Sequence, residues 1–387
     1  MYISRKIEAS VLKSLENNPV VALIGPRQCG KSTLVKHLLE KYPTSIYLDM
    51  ERPSDLQKLD DAEWFLSTQK DNLICIDEVQ RKPKLFALIR SLVDEWGTNC
   101  SFLILGSASR DLMQQSSESL AGRISYKRLT PFLWNELEGK YPIEKYFSQG
   151  SFPRSILAND AETSYEWREN FISTFLERDL ILWRGFTPTT MRRLWQMLAH
   201  INGQTVDYTT LSKSLGVSSV TVKNYIDLLE STFMVEVIPS YISNLKKRLV
   251  KSPKVYISDS GITATLLGLR NFEEISGHPS FGAIWEQIVL SNLKGLFPDA
   301  VFYFYRTSNG AEIDFVMHLK NIVFAIECKS TYFPTLSKGN YNAIEDIKPN
   351  FVFVVSPIKK GWQMKQGIEL VSLNELELKI RERIKNS

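Results

Sequence analysis

Residues Gly25–Ser32 read Gly-Pro-Arg-Gln-Cys-Gly-Lys-Ser, with Thr33 next, and fit the pattern G-x-x-x-x-G-K-[S/T]. The pattern carries meaning only between a buried strand and a helix, and here Val20–Ile24 is an apolar run while Lys31–Leu39 has helical length. Glycines in such a loop let successive backbone N–H groups surround phosphate oxygens, and the following helix adds positive potential at its N-terminus. The candidate nucleotide-binding set is therefore Gly25, Pro26, Arg27, Gln28, Cys29, Gly30, Lys31, Ser32 and Thr33. Lys31 would reach the β- and γ-phosphates, and the Ser32 hydroxyl would join a magnesium shell. ATP and Mg²⁺ are the cofactors this chemistry calls for. A chain built on such a loop must supply a parallel sheet with covered faces, and further apolar runs follow at Ile46–Asp49, Leu73–Ile76 and Phe102–Leu105, each ahead of a helix-length segment.

The second half of the site is Leu73-Ile-Cys-Ile-Asp77-Glu78, an apolar strand ending in two carboxylates. Open α/β sheets hold ligands at that end of the strands. Asp77 would hold magnesium and Glu78 would polarise the attacking water. The strand near Ser101–Leu105 ends in Gly106-Ser107-Ala108-Ser109, where a hydroxyl such as that of Ser107 could sense the γ-phosphate; a plain polar turn is the competing reading.

At about 100–200 residues per domain, 387 residues divide into two to four domains. We draw three: 1–140, 141–260 and 261–387. A net charge of +4, from 47 basic and 43 acidic side chains, says nothing about partners, so any nucleic-acid contact has to come from local charge. Four cysteines without C-x-x-C spacing exclude a disulfide scaffold and a zinc ribbon. No apolar run approaches the ~20 residues of a membrane span, and the start lacks a signal-peptide pattern, so the expectation is a cytoplasmic protein without membrane contact.

In the middle region, Tyr208–Leu215, Gly216-Val217 and Ser218–Glu230 read as helix, tight turn and helix, followed by two strands near Phe233–Pro239 and Lys254–Ile257. This is the pattern of a winged helix-turn-helix. Lys223 and Asn224 on the second helix are accompanied by Asp227 and Glu230, whereas Lys246, Lys247, Arg248, Lys251 and Lys254 cluster around the strand connection. Either a phosphate-gripping wing or a solvated hairpin fits that charge.

In the last region Glu286 lies on a helix starting at Phe281, Asp314 in a strand, and Glu327-Cys328-Lys329 at the end of the next. Residues i and i+2 of a strand share a face, so Glu327 and Lys329 point the same way. Glu286, Asp314 and Glu327 would form an oxygen-rich magnesium site, with Lys329 orienting water for phosphodiester attack. A surface ion-pair group and a scaffold that has lost its chemistry are the alternatives.

The stretch Arg5–Glu136 resembles a bacterial and archaeal group of AAA-type P-loop ATPases. The resemblance rests on Gly25–Ser32, on Asp77-Glu78-Val79-Gln80 with Pro83, on Gly106–Ser109 and on Leu120-Ala121-Gly122-Arg123, and continues through Gly150–Pro153 and Leu176–Asp179. It implies ATP binding and hydrolysis. It also makes Arg123 a candidate charge-neutralising arginine, acting within one subunit or on a neighbour of a homo-oligomer; a structural salt bridge is the alternative. Arg178 and Asp179 would orient the helical region. The C-terminal order of elements, with Asp314 and Glu327-Cys328-Lys329, resembles the PD-(D/E)XK nuclease superfamily, although Ile313 stands where that motif has proline.

Together these readings give an α/β multidomain chain: an AAA/ASCE-type P-loop sheet, a helical linker with a winged helix, and a restriction-endonuclease-like α/β domain. The functional expectation is an ATP-hydrolysing protein that couples nucleotide state to binding or metal-dependent cleavage of nucleic acid, DNA rather than RNA. The alternative is a nucleotide-switched interaction protein whose nuclease-like domain is an inactive scaffold. A P-loop kinase of small substrates would leave most of the chain unexplained.

Overall fold

The structure is a computed structural model that describes residues 2–107, 119–137, 139–179, 187–241 and 250–386, without the side chains of Ser107, Arg178 and Asp179. Ser109, Lys246, Lys247 and Arg248 lie outside the described residues. The chain divides into two compact units, one formed by Met1–Phe132 with Ser231–Phe233, the other by Leu133–Glu230 with Met234–Ser387.

In the first unit, strands β1 (Val20–Gly25), β2 (Ile46–Asp49), β3 (Ile74–Asp77), β4 (Phe102–Ser107) and β5 (Ile124–Arg128) form one sheet in the order β2-β3-β4-β1-β5. Every described pairing in it is parallel. β1 and β3 are buried along their whole length. Their alternate residues feed two apolar layers, one with Val20, Ala22, Ile74 and Ile76 against the helix Leu85–Trp96, the other with Val21, Leu23, Cys75 and Leu103 against Lys31–Leu39. A strand buried on both faces has no polar positions to alternate, which is why these runs are continuous in sequence. β5 is a sheet edge, only half-buried at every position. Ile-Ser-Tyr-Lys-Arg therefore carries no apolar run, and the sequence pattern missed it.

In the second unit, helices from Trp134 to His200 lead into a short strand β6 (Gln204–Thr205), the helices Tyr208–Leu215 and Ser219–Ser231, then β7 (Val235–Ile238) and β8 (Lys254–Ile257). Gly216 ends the first of these two helices with φ 69°, a backbone conformation glycine adopts without strain. Ser218 Oγ accepts the Thr221 N–H at 3.0 Å and caps the second helix, whose Val222, Ile226 and Leu229 are buried as the helical spacing requires. β8 lies between β6 and β7, antiparallel to both.

The helix Phe281–Leu296 precedes β9 (Val301–Arg306), β10 (Glu312–Leu319), β11 (Ile322–Cys328), β12 (Phe351–Val355), β13 (Trp362–Lys365) and β14 (Ile368–Val371). They form a mixed sheet in the order β13-β14-β12-β11-β10-β9. The sequence pattern missed β13 and β14, because the exposed Trp362, Gln363 and Lys365 leave no alternation to read. The last helix opens on a capping box, Ser372 with Glu375, as expected.

The segments drawn from sequence as a middle and a last domain share the second unit. Asn202 donates to Gln287 Oε1 at 2.9 Å and accepts the Ile257 N–H at 2.9 Å, and the Tyr241 N–H donates to the Phe304 carbonyl at 2.7 Å. Among the described residues no helix is long and apolar enough to cross a membrane.

Candidate functional site

The glycine loop is held by its backbone shape and by one distant side chain. Gly30 adopts φ 101°, Gln28 φ 59°, and the loop passes directly into the helix at Lys31. A Cβ on Gly25 would lie 2.1 Å from the Leu129 carbonyl oxygen, so the close approach of β1 to the chain after β5 requires glycine. Arg5 is buried, and its guanidinium donates to the carbonyls of Cys29 at 3.1 Å, Thr130 at 2.6 Å and Pro131 at 3.0 Å, with the Phe132 ring 4.6 Å away. This fork ties the loop to the segment after β5. Sequence reading assigned Arg5 no role, because its partners are backbone atoms that only folding brings within reach. Cys29 is buried, with Sγ 3.6 Å from the Leu129 oxygen, which is a packing position.

Lys31 is buried at the start of its helix and donates to the carbonyls of Gly25 at 3.0 Å and Pro26 at 2.9 Å. Ser32 Oγ donates to Asp77 Oδ2 at 2.7 Å. The hydroxyl and carboxylate expected to share a magnesium ion are thus in direct contact, and this donor pair suits a hard cation that keeps most of its water. Tyr47, on β2, also donates its hydroxyl to Asp77 Oδ2. Burial, then the Asp77 carboxylate, push the Tyr47 phenol far above its ordinary value, so it remains a donor. Glu78 follows Asp77 with φ 54°, a left-handed backbone rare for a non-glycine residue, and its carboxylate accepts a hydrogen bond from the Gln80 amide. Tyr47 had no signal beyond an aromatic in an apolar strand. Gln80 stood in the motif without a role.

Ser107 ends β4 with its backbone beside Gly25. Arg123 is not brought to this end of the sheet. Its carbonyl accepts the Val20 N–H at 3.2 Å, at the opposite end of β1 from the glycine loop, and its guanidinium holds Asp94 through Nη2 at 2.9 Å. Parallel strands advance ~3.3 Å per residue, so about 16 Å of sheet lies between Val20 and Gly25. Within one chain, Arg123 is a salt-bridge residue on the far edge of the sheet.

In the second unit, the residues expected to bind metal come together around a cation of the chain itself. Glu327 is buried and accepts from Lys329 Nζ at 2.7 Å, while Asp314 Oδ2 accepts the Cys328 N–H at 2.8 Å. Tyr256 donates to Glu286 at 2.7 Å. Lys254, buried at the start of β8, places its ammonium 3.2 Å from Glu312, 3.8 Å from Glu286 and 3.8 Å from Asp314. Burial raises the carboxyls of Glu286, Asp314 and Glu327, with neighbouring carboxylates adding to the effect. Burial alone would lower Lys254, but Glu286, Asp314 and Glu312 outweigh it and hold the ammonium above the ordinary lysine value. Among the described residues, no group of three or more His, Cys, Asp or Glu side chains is arranged to hold a metal ion. The expected set Glu286, Asp314 and Glu327 therefore does not fit magnesium as it stands, and Lys254, read from sequence as part of the basic cluster at the strand connection, is buried among these carboxylates instead. Cys328 is buried, as a core thiol should be.

A five-stranded parallel sheet with a glycine loop after β1 and an Asp-Glu pair after β3 defines the first unit as an AAA-type P-loop ATPase domain, and residues 17–138 match the family described as AAA domain. Residues 141–273 and 281–376 match two families described as domains of unknown function, DUF8612 and DUF4143. Two mycobacterial proteins, the uncharacterized proteins Rv2008c of Mycobacterium tuberculosis and Mb2031c of Mycobacterium bovis, are each 36% identical over 378 residues, covering 97% of this chain and 85% of the relative. The chain belongs to the family of these two proteins. A solved Walker-type ATPase of Pyrococcus abyssi aligns with 69% of this chain and 96% of its own at 16% identity, with a TM-score of 0.49.

Proposed function

We propose that the chain binds Mg-ATP at Gly25–Thr33 and hydrolyses it. The observation that carries this reading is the direct contact between Ser32 and Asp77, beside Lys31 and ahead of Glu78. Backbone N–H groups of the loop would bind the phosphate oxygens, and Lys31 would exchange its carbonyl partners for the β- and γ-phosphates. Ser32 and Asp77 would hold the magnesium ion, which supplies charge neutralisation when bound. Tyr47 would keep Asp77 oriented. Glu78 would take the proton of the attacking water once Gln80 releases its carboxylate, and Ser107, at the end of β4, would contact the γ-phosphate. Arg123 can serve another subunit's nucleotide but not its own, which a homo-oligomer would permit. Calorimetry on two variants tests the assignment. Lys31→Ala should lose ATP binding, whereas Glu78→Gln should bind ATP and turn it over at least ~10² more slowly. Unchanged affinity in the first, or unchanged turnover in the second, would remove these roles.

We further propose that nucleotide state governs what the second unit binds. The order of helices and strands from Tyr208 to Ile257 supports a winged-helix reading, with Lys223 and Asn224 exposed on the second helix. Nucleic acid, DNA before RNA, is the partner that fold and the basic residues Lys246, Lys247, Arg248 and Lys251 suit. Neutralising Lys246, Lys247 and Arg248 should lower duplex affinity and reduce its salt slope by ~0.9 for each phosphate no longer neutralised. A wild-type slope would count against the wing. The helix and mixed sheet after Phe281 support a nuclease-like fold, but the burial of Lys254 among its carboxylates favours the second reading, a nucleotide-switched interaction protein with that fold as scaffold.

A further inference from the structure

We propose that Lys254 is the resident cation of the C-terminal carboxylate pocket, and that a divalent ion can occupy the pocket only when this ammonium is withdrawn. Four carboxylates meet there, Glu286 from a helix, Glu312 and Asp314 from β10 and Glu327 from β11. Lys254 reaches three of them, within 3.2–3.8 Å, and Lys329 neutralises the fourth at 2.7 Å. Two ammonium groups thus supply the two positive charges that one divalent cation would bring. The Lys254 nitrogen lies 3.8 Å from both Glu286 and Asp314, so it competes for the same oxygens that an ion held by those two side chains would need.

The difference in bond length makes the two occupants exclusive. An ion of magnesium's size draws oxygens to ~2.1 Å, whereas the ammonium holds these oxygens at 3.2–3.8 Å. Removing Lys254 leaves Glu286, Glu312 and Asp314 without their cation, so each must take up a proton or share a metal ion, and added Mn²⁺ competes with protons for that place. The lysine is anchored firmly. Its strand β8 pairs with both β6 and β7, opposite Thr205 and Ile238, its side chain is 3% exposed, and the Phe304 ring lies 5.6 Å from its Nζ. Withdrawal therefore requires the lysine side chain to leave a closed pocket or β8 to move.

The inference does not depend on the nucleotide reading and is tested without nucleotide. Mn²⁺ binding is followed by electron paramagnetic resonance on the full chain carrying Asp77→Asn, which silences the metal position of the first unit. With Lys254 in place, no site should fill below millimolar Mn²⁺. Lys254→Met should create one site with at least tenfold higher affinity, and adding Asp314→Asn should abolish it. Equal Mn²⁺ binding with and without Lys254, or no gain in Lys254→Met, overturns the proposal. If Lys254→Met does not fold in metal-free buffer, recovery of the fold on adding Mn²⁺, read by circular dichroism, supports the proposal, and failure to recover overturns it.

Discussion

Arg5→Ala should damage the nucleotide loop from a position 24 residues before Cys29, the loop residue that it holds. The guanidinium donates to three carbonyl oxygens, those of Cys29, Thr130 and Pro131, and packs on Phe132. Hydrogen bonds to a charged group contribute ~1.5–3 kcal/mol each. Simple addition would exceed what one side chain delivers, because the three acceptors share a donor and relax together. A loss of about 3–5 kcal/mol is the reasonable magnitude, comparable to breaking a buried pair from one side. Arg5→Lys should recover part of it, since a single ammonium cannot span the three acceptors of the fork. The assay is a urea titration of the full chain read by amide-exchange mass spectrometry, which follows the two units separately rather than assuming a single transition. Peptides covering Gly25–Lys31 should exchange faster in the variant, while those from Phe281–Leu296 should not change. If Arg5→Ala unfolds within about 1 kcal/mol of wild type and the loop amides keep their protection, the clamp is not what shapes the loop.

Gly25→Ala should cost at least about 2 kcal/mol in the first unit, because its Cβ would lie 2.1 Å from a backbone oxygen that cannot swing away; chemical denaturation measures it. Tyr47→Phe removes one of the two hydroxyl donors to Asp77 Oδ2 and should raise the magnesium concentration needed for half-maximal ATP turnover while leaving metal-free nucleotide affinity unchanged; magnesium titrations separate the two effects. The second unit should lose stability as pH rises. Burial, ahead of repulsion from Asp314, lifts Glu286 and Glu327 to about 8, so between about pH 4.5 and 8 the folded chain keeps protons that the unfolded chain has released. Stability falls through that window by on the order of 1 kcal/mol per pH unit for each group. Glu327→Gln should flatten its share, as thermal melts across the window would record.

What the sequence by itself determined is chemistry that neighbours in the chain provide for one another. The glycine loop sits between a buried strand and a helix, Asp77-Glu78 follows a four-residue apolar run, and Ser372 with Glu375 caps a helix, all set by local spacing. Val222, Ile226 and Leu229 show the same rule at helical period. What only the tertiary structure decided is which distant groups meet. Arg123 belongs to a legible motif, yet a parallel sheet carries it to the end of β1 remote from the phosphate loop. Lys254 reads as one more cation of a basic stretch, yet pairing within the three-stranded sheet and packing against Phe281–Leu296 turn it inward onto Glu286, Glu312 and Asp314. A side chain's charge is written in the sequence, but whether that charge meets solvent, a phosphate or three buried carboxylates depends on contacts between residues tens of positions apart, and those contacts exist only once the sheets have formed and packed.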